Sequence, residues 1–504
     1  MILHEDQAWL AVAKPSGLAT HAPREGELGA VEWLELHLDR PVHVVSRLDR
    51  GTSGVLLLAK DAAASARAQR VHEDGGAVKV YEFLSAHARP EPWLDQTPLD
   101  GKPAATAFAP LGPAGAFHRY RAEIRRGRTH QIRRHAAAAG VPLLGDAERG
   151  GAPWPRLALH CAEVRWPEIA APLRDPAPVW FDDPRPDDPA LALERRVGWL
   201  PAVTDAWRAV HRDELPDLPA AVDVYGPWAD AVWFDEDADA DAARAALDPV
   251  LDRLARDHGV RGGTLRTHRR NPHRRGLVTE VTVFGEPPPA RFAVREHGLA
   301  YEISLTETQH TGLFLDQRDA RRRVQLLAAG LRVANLFSYT CSFSVAAVAG
   351  GAEVAFSVDL AKAALETGKR NFAANGLEAG GRGKFVREDV RRWLERQLRR
   401  KGERPADHAP LDLVVCDPPV FASSREGGRF QVEQEWAAMA GGVAALLGPG
   451  GRAVFANNHR GGDHVRYRRE LEAVFPRVAE WSPPLDFPRG DDAPQHVRTF
   501  HVQA

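Results

Sequence analysis

The chain has 504 residues, of which 44% are hydrophobic and 27% are charged. This composition is typical of soluble globular protein, and the length predicts two to four domains. The 3 cysteines contain no C-x-x-C pair, which excludes a disulfide framework and gives no sign of a metal site. No apolar run approaches the roughly 18 residues of a membrane span, and the charged start lacks the apolar core of a signal peptide. We therefore expect a cytoplasmic protein with no membrane partner.

The formal net charge is −2, but the charges are unevenly distributed. Basic side chains are concentrated in residues 119–134, 261–275, 391–401 and 459–469. Such clusters can contact phosphate even when the net charge is close to zero. The segment 391–401 differs from the others, because its apolar residues recur at helical spacing and indicate a helix with one solvated face.

Changes in composition divide the chain into three blocks and a linker. Residues 1–185 are predicted to be rich in β-strands, and the Pro- and Asp-rich residues 186–196 are predicted to be a linker. Residues 197–292 are predicted to form a small α/β domain with one long amphipathic helix. Residues 293–504 alternate apolar strands with helices, which indicates a doubly wound, Rossmann-like α/β sheet. The predicted fold class is therefore multidomain, with α+β and α/β parts.

The most informative stretch is HVVSRLDRGTSGVLLLAKD, residues 43–61. It holds Asp49 in a loop of Arg, Gly, Thr and Ser residues between two apolar segments. A scaffold commonly presents a nucleophilic or acid–base carboxylate in this way. On its own, an aspartate in such a loop is more often a turn former, so its meaning depends on the rest of the block.

Six motifs follow one another in the first block. They are KPSGL at 14–18, RLDRGTSG at 47–54, KVY at 79–81, DGK with a threonine at 100–106, RGRTHQIRRH at 126–135, and Leu159-His160. In this order they resemble the RluA family of pseudouridine synthases. The resemblance implies a mixed antiparallel sheet and the isomerisation of uridine to pseudouridine without a cofactor.

The same resemblance implies a set of catalytic residues. Asp49 stands at the catalytic aspartate, which acts as a nucleophile or a base. Arg133 is expected to hold that carboxylate with two hydrogen bonds. Tyr81 is expected against the face of the uracil, with Leu159 beneath it.

RNA contacts are also implied in this block. A uridine that reacts must leave its stack, and Arg47 is expected to fill the gap. Arg128 and His130 are expected to contact the RNA, Arg128 at a phosphate. Ser46 stands where the family usually has histidine.

The middle block carries a looser resemblance. Residues 206–234 resemble a segment of the RlmI/RlmK family of rRNA methyltransferases that lies in a small α/β domain, with Ala220 where glycine is usual. The basic, Pro-broken segment 267–276 indicates an exposed hairpin or loop. Arg269 and Arg270 are expected to contact RNA phosphates there, with a solvated loop as the alternative.

The third block resembles the same family at residues 311–321, TGLFLDQRDAR, and at residues 335–342, NLFSYTCS. The resemblance implies S-adenosylmethionine as cofactor, bound where the first strand turns into a helix. Cys341 replaces the family's glycine in that turn. No G-x-G-x-x-G follows any strand, which disfavours a dehydrogenase. The implied cofactor-binding residues are Asn335, Phe337, Ser338, Thr340, Asp359, Asp389 and Asp417.

The target base is expected beside Asp417-Pro418-Pro419-Val420-Phe421, which resembles the family's D-P-P-x-F motif. Asp417 is expected to be catalytic and Phe421 to contact RNA. Asn457, Asn458 and Arg460 resemble the RlmK branch, which implies 7-methylguanosine as product. Cytosine C5 methylation needs a cysteine nucleophile, and Cys416 lies inside an apolar strand where packing is the simpler explanation.

These features predict a bifunctional enzyme that makes pseudouridine and methylates a guanine, with large-subunit rRNA as partner and no DNA. Three alternatives stay open. In the first, only one of the two catalytic domains is active and the other docks RNA. In the second, the methyl group is transferred to cytosine C5. In the third, the chain is a non-catalytic ribosome assembly factor.

Overall fold

The computed structural model describes residues 1–504 apart from 195, 197, 213, 216–217, 236–238, 271–276, 308–309, 425–427, 460–461 and 488–497. The side chains at 269–270, 277–278, 407 and 423–424 are also outside the described part. Among the described helices, none is long and apolar enough to cross a membrane.

The first block is built on one ten-stranded sheet. Its main path runs β1-β2-β4-β9-β5-β8-β7-β6, while β3 pairs with β4 and β10 pairs with β9. The β4–β9 pair is parallel and its neighbours are antiparallel, which confirms the predicted mixed antiparallel sheet. The strands are β1 (Ile2–Glu5), β2 (Trp9–Lys14), β3 (His43–Val44), β4 (Ser53–Ala59), β5 (Val78–Ser85), β6 (Trp93–Asp95), β7 (Thr106–Ala114), β8 (Phe117–Ile124), β9 (Leu159–Arg165) and β10 (Leu173–Arg174), and the helices are α1 (Ala30–Leu38), α2 (Ala62–Glu73) and α3 (Gln131–Ala138).

The predicted linker contains a short buried helix, α4 (Pro189–Leu193). Asp188 caps this helix by accepting a hydrogen bond from the backbone N–H of Ala190, and Pro189 opens its first turn. Because the helix is apolar and buried, the segment packs against its neighbours instead of forming a free tether.

The middle block is a five-stranded sheet in the order β11-β12-β13-β14-β15, covered by one long helix. β13 and β14 are parallel because the helix connects them, and the other pairs are antiparallel. The elements are β11 (Ala206–Val210), β12 (Ala220–Tyr225), β13 (Trp228–Trp233), α5 (Ala240–His258), β14 (Gly262–Arg270) and β15 (Leu277–Gly285).

The third block is a doubly wound sheet, as predicted, in the order β20-β19-β18-β21-β24-β26-β25. The first five strands are parallel, β26 runs antiparallel to them, and the edge strand β25 pairs antiparallel with β26. The strands are β16 (Phe292–Glu296), β17 (Leu299–Ile303), β18 (Arg332–Leu336), β19 (Val354–Asp359), β20 (Gly383–Arg387), β21 (Leu411–Cys416), β22 (Phe421–Ser424), β23 (Gly428–Gln431), β24 (Leu447–Asn457), β25 (Arg477–Trp481) and β26 (Arg498–Gln503), and the helices are α6 (Arg318–Leu327), α7 (Ser342–Ala349), α8 (Lys362–Ala374), α9 (Val390–Glu403), α10 (Val432–Leu446) and α11 (His464–Glu472).

Candidate active sites

A cavity of about 770 Å³ opens in the first block beside the loop that precedes β4. Its volume is within the range of small-molecule sites, and it also takes residues from α2, β5 and the segment before α3. It brings together all the site residues that the sequence predicted for this block: Arg47, Asp49, Tyr81, Arg128, His130, Arg133 and Leu159.

The Asp49 loop is held from behind by the KPSGL segment. The backbone N–H of Gly17 donates to the carbonyl of Arg50 at 2.8 Å, and the Thr20 hydroxyl donates to the carbonyl of Leu48 at 2.9 Å. Lys14 is buried beneath this segment and donates to two of its carbonyls. Burial lowers the pKa of Lys14 to about 7, although Asp49 and Glu194 oppose the shift. The loop is therefore fixed at both of its ends, and its aspartate faces the cavity.

Among the described residues, the basic side chain within ion-pair distance of Asp49 is that of His130. His130 Nε2 lies 3.9 Å from Asp49 Oδ2, and about a third of each side chain is exposed. His130 precedes α3 with a left-handed backbone, at φ +53°. The GRTHQIR segment thus turns its histidine towards the Asp49 loop.

The expected clasp of Asp49 by Arg133 is wrong. Arg133 Nε and Nη2 donate to Asp146 Oδ2 and Oδ1 at 2.8 and 2.6 Å, and Nη2 also donates to Glu148 at 3.0 Å. The hydrogen bond to Asp146 is the main cause that raises the pKa of Arg133, and Asp49 adds only a long-range attraction. Arg133 therefore lines the cavity as a fixed positive charge near Asp49.

Tyr81 and Leu159 lie on the neighbouring strands β5 and β9 and form the apolar floor of the cavity. Burial raises the pKa of Tyr81 far above its usual range, so its phenol stays neutral. Lys79 and His72 also line the cavity, and burial lowers the pKa of both, that of His72 to about 4. The KVY motif contained Lys79, but nothing in the sequence indicated His72.

A second cavity, of about 870 Å³, lies at the carboxyl ends of β18, β19 and β21. This is the edge where a doubly wound sheet binds its ligands. Of the predicted residues, eight line it: Asn335, Phe337, Ser338, Asp359, Asp389, Asp417, Phe421 and Asn458. Arg460 and the side chains of Arg269 and Arg270 lie outside the described residues.

The loop after β18 is held in an unusual backbone conformation. Phe337, Tyr339 and Cys341 have φ values of +56°, +46° and +61°. Non-glycine residues avoid this region, and such strain is concentrated at ligand-binding loops. Asp359 holds the loop because its carboxylate accepts hydrogen bonds from the N–H groups of Tyr339 at 2.8 Å and Ala361 at 2.7 Å. Each of its oxygens keeps a lone pair for a ribose hydroxyl.

Cys341 does not line the cavity, although it occupies the position of the family's glycine. Its side chain is buried against Gly368 of α8, where an added Cβ would lie 2.3 Å from the Cys341 sulfur. The absence of a side chain at Gly368 thus makes room for the thiol. The substitution affects loop strain and packing, and it leaves the ligand side of the loop unchanged.

Thr340 and Asn457 are corrections to the predicted set, because both side chains are buried outside the cavity lining. The Thr340 hydroxyl donates to the carbonyl of Gly312 at 2.7 Å. The Asn457 side chain accepts a hydrogen bond from the N–H of His459 at 2.8 Å. Both residues therefore shape the loops that line the cavity.

Asp389 lines the cavity but is already bound within the protein. It caps α9 by accepting from the N–H of Arg391 at 3.0 Å, and it pairs with the same arginine side chain. Burial would raise the pKa of Asp389, but these contacts outweigh it and lower the pKa overall. The amine of a bound adenine would have to share the Asp389 carboxylate with Arg391.

The side of the cavity formed by residues 417–421 carries a carboxyl that is hard to ionise. Burial raises the pKa of Asp417 to about 7, and the nearby charge of Asp316 adds to the shift. Phe421 is 52% exposed, and the Arg429 guanidinium lies 5.5 Å from its ring centre. Cys416 is fully buried and does not line the cavity, and burial raises the pKa of its thiol.

Several lining residues were not predicted. Phe314 and Asp316 belong to the recognised TGLFLDQR motif, which indicated the family without indicating their roles. Phe314 packs 5.4 Å from the ring of Tyr339, and Phe337 packs 5.3 Å from Phe430. Together with the strained loop and Asp359, this aromatic cavity fits S-adenosylmethionine.

Two family models match the chain. Residues 8–138 match the RNA pseudouridylate synthase model, and residues 261–494 match the S-adenosylmethionine-dependent methyltransferase model. The crystal structure of SMU.776 complexed with SAH superposes on 62% of this chain and 79% of its own, with a TM-score of 0.52 at 24% identity. That similarity shows the fold.

Two curated relatives are rRNA methyltransferases. Ribosomal RNA large subunit methyltransferase K of Neisseria meningitidis is 35% identical over 261 residues, which cover 51% of this chain and 70% of the relative. Ribosomal RNA large subunit methyltransferase K/L of Pseudomonas putida is 34% identical over 279 residues, which cover 54% of this chain but only 36% of the relative. The chain therefore belongs to the methyltransferase K family of S-adenosylmethionine-dependent enzymes and carries an N-terminal RNA pseudouridylate synthase domain.

Proposed function

We propose that the chain modifies large-subunit rRNA twice, making a pseudouridine in its first cavity and a 7-methylguanosine in its second. Residues 1–185 would act on the uridine and residues 293–504 on the guanine, with residues 197–292 contacting RNA. The observation that carries the proposal is that each half of the chain has its own nucleotide-sized cavity, and each cavity contains the acidic residue of its family motif.

The first cavity suits a flipped uridine. Asp49 meets the ligand space at the lip, while Tyr81 and Leu159 offer a flat apolar floor. Arg47, Arg128, His130 and further basic residues at the rim favour the backbone phosphates. Asp49 would attack the sugar or remove its proton, with Arg133 as a positive charge in the lining of the same cavity.

The second cavity suits attack by a ring nitrogen with a lone pair. S-adenosylmethionine supplies an electrophilic methyl group when it is bound. Methylation of guanine N7 needs no covalent activation of the base, only its alignment with the methyl donor. Phe421, Asn458 and Asp417 can provide that alignment by holding the base. Cytosine C5 would need a thiolate, and no cysteine occurs in the part of the lining that the structure describes.

The test maps modified nucleosides in rRNA from cells that lack the gene and express one variant each. Asp49→Ala should remove one pseudouridine and keep the methyl mark. Asp417→Ala should remove one 7-methylguanosine and keep the pseudouridine. Mass spectrometry of rRNA digests identifies both the base and its position.

Matched controls replace exposed acids in the same halves. Asp183→Ala and Glu472→Ala should leave both marks unchanged, because their side chains are 62% and 47% exposed and pair only at the surface. If both marks survive both active-site changes, the proposal is wrong. If Cys416→Ala removes a 5-methylcytidine, the target base is cytosine.

A further inference from the structure

Asp316 and Asp417 are two carboxyls that face the same aromatic cavity, and the structure gives neither of them a side-chain partner among the described residues. Both side chains line it, and within the described parts of the chain neither makes a hydrogen bond or ion pair to another residue's side chain. Protein surrounds both closely, yet part of each side chain stays accessible to the cavity. Buried polar groups normally have partners, so an unpartnered pair that faces a ligand space points to a ligand with complementary groups.

Two arginines near Asp316 already have partners of their own. Arg208 binds Asp223 through two hydrogen bonds of 2.8 Å, and Arg321 binds Glu296 through two of 2.8 Å. The positive charges of both arginines favour the ionised form of Asp316. The ionised form of Asp417 is favoured by Arg321 alone among the charges that act on it. Burial raises the pKa of both carboxyls, that of Asp417 to about 7, and the second arginine near Asp316 favours the arrangement in which Asp316 is ionised and Asp417 holds the proton.

A carboxylate offers two acceptor oxygens, and a protonated carboxyl offers one donor and one further acceptor. Guanine presents the complementary edge, since N1–H and the N2 amine donate and O6 accepts. Adenine presents a single donor group on this edge, the C6 amine, and an acceptor at N1, so it cannot donate to both carboxylate oxygens through two ring-edge groups as guanine does. Phe314 and Phe421, which are 38% and 52% exposed, line the same cavity and offer aromatic faces to a purine.

We propose that Asp316 selects the target base by accepting hydrogen bonds from guanine N1–H and N2–H, while the carboxyl of Asp417 donates to O6. This assignment rests on the proposed guanine methylation. It leaves N7, on the five-membered ring, free to face the methyl donor.

The test uses the full chain and an RNA oligonucleotide spanning the mapped guanine, or the same oligonucleotide with inosine there. Asp316→Asn should lower kcat/KM for guanine at least about 100-fold, because an amide cannot accept both N–H groups. Asp417→Asn keeps a donor for O6 and should lose less than about tenfold, whereas Asp417→Ala should lose at least about 100-fold. Inosine lacks the N2 amine. Replacing the guanine with inosine should therefore lower the kcat/KM of the wild type about tenfold and leave the kcat/KM of Asp316→Asn almost unchanged.

Binding of S-adenosylhomocysteine, measured by calorimetry, separates base selection from donor binding. Asp316→Asn should bind it within about twofold of wild type and keep its pseudouridine activity. A large loss of that binding would assign Asp316 to the donor's amino group and overturn the inference. The inference would also be overturned if the Asp316→Asn variant had a normal kcat/KM, or if it discriminated against inosine as strongly as the wild type does. A wild-type mark on a base other than guanine would overturn the proposed function as well.

Discussion

The carboxyl of Asp417 is held in a place where its ionisation is unfavourable. It ends β21 in a largely apolar cavity, and burial together with the neighbouring Asp316 raises its pKa from 3.8 to about 7. A side chain kept only for stability would not be placed there, because an amide or an apolar residue avoids the penalty. The destabilisation therefore reflects the need for a proton or a charge at this position.

Replacing Asp417 with asparagine should stabilise the chain, and more so at high pH. The unfolded carboxyl releases its proton above about pH 4, whereas the folded one keeps it to about pH 7. The stabilising contribution of this group is thus complete below pH 4, is lost as the pH rises to 7, and stays absent above it. We expect Asp417→Asn to gain on the order of 2–4 kcal/mol at pH 8 and much less at pH 5. Urea unfolding at both pH values measures this, and an equal gain at the two values would contradict it.

Motifs identified the residues that line the first cavity better than they identified the hydrogen-bond partners of those residues. Asp49, Tyr81 and Leu159 were predicted from ordered motifs, and one cavity contains all three. The partner of Arg133 was not predictable, because the block contains many carboxylates and only the fold brings Asp146 against the guanidinium. Motif order along a chain carries no information on which of two acids an arginine reaches.

At the scale of elements, the loop after β18 and helix α8 depend on each other. Cys341 adopts a left-handed backbone that glycine would adopt at lower cost, and its thiol occupies the space beside Gly368. A side chain at either position therefore restricts the other. The pair explains how this chain tolerates a cysteine at the family's glycine position.

Gly368→Ala should destabilise the wild-type chain strongly and a Cys341→Gly chain weakly. In the wild type the new methyl group would lie 2.3 Å from the Cys341 sulfur and 2.9 Å from its Cβ, so either the loop or the helix must shift. We expect a loss of about 2–3 kcal/mol in the wild type and of less than about 1 kcal/mol after Cys341→Gly. Urea unfolding of the four proteins gives the coupling energy. Additive effects would show that the two residues do not share this space.

The sequence predicted regular elements well where their periodicity was strong. The four apolar strands of the third block, the helix from 391 to 401 and the long helix of the middle block all formed, the last despite Pro249 in its interior. The helix α4 was missed, because five residues in a Pro- and Asp-rich segment give too short a pattern. Its stability comes from burial against the neighbouring blocks, which local sequence does not reveal.

At the scale of the whole molecule, the three blocks pack against one another and share hydrophobic clusters. One hydrophobic cluster contains residues of both the first and middle blocks, and in it Trp33 of α1 packs 4.8 Å from Trp199. Helix α1 also contacts α6 of the third block, where His37 Nε2 lies 3.2 Å from Asp319. The two catalytic halves are therefore in direct contact as well as linked through the middle block.

A buried carboxylate, Asp486, joins the linker, the middle block and the third block. Its two oxygens accept from Arg318 of α6 at 2.7 and 3.0 Å, and one of them also accepts from the N–H of Arg208 in β11 at 2.8 Å. Its backbone carbonyl accepts from Arg196 at 3.2 Å. Arg318 and Asp486 are both fully buried, so each charge depends on the other.

Removing the charge of Asp486 should therefore weaken the whole molecule far more than removing an exposed charge. Asp486→Asn keeps the size of the side chain but leaves Glu296, at 3.6 Å, as the only described carboxylate within ion-pair distance of Arg318. We expect a loss of about 3 kcal/mol in urea unfolding, since a buried charge without its partner is strongly destabilising. The control, Glu472→Gln, breaks a pair with Arg468 in which both side chains are 47% exposed, and it should cost less than about 0.5 kcal/mol. Similar small losses in both variants would mean that Glu296 alone compensates Arg318, and that the junction does not depend on Asp486.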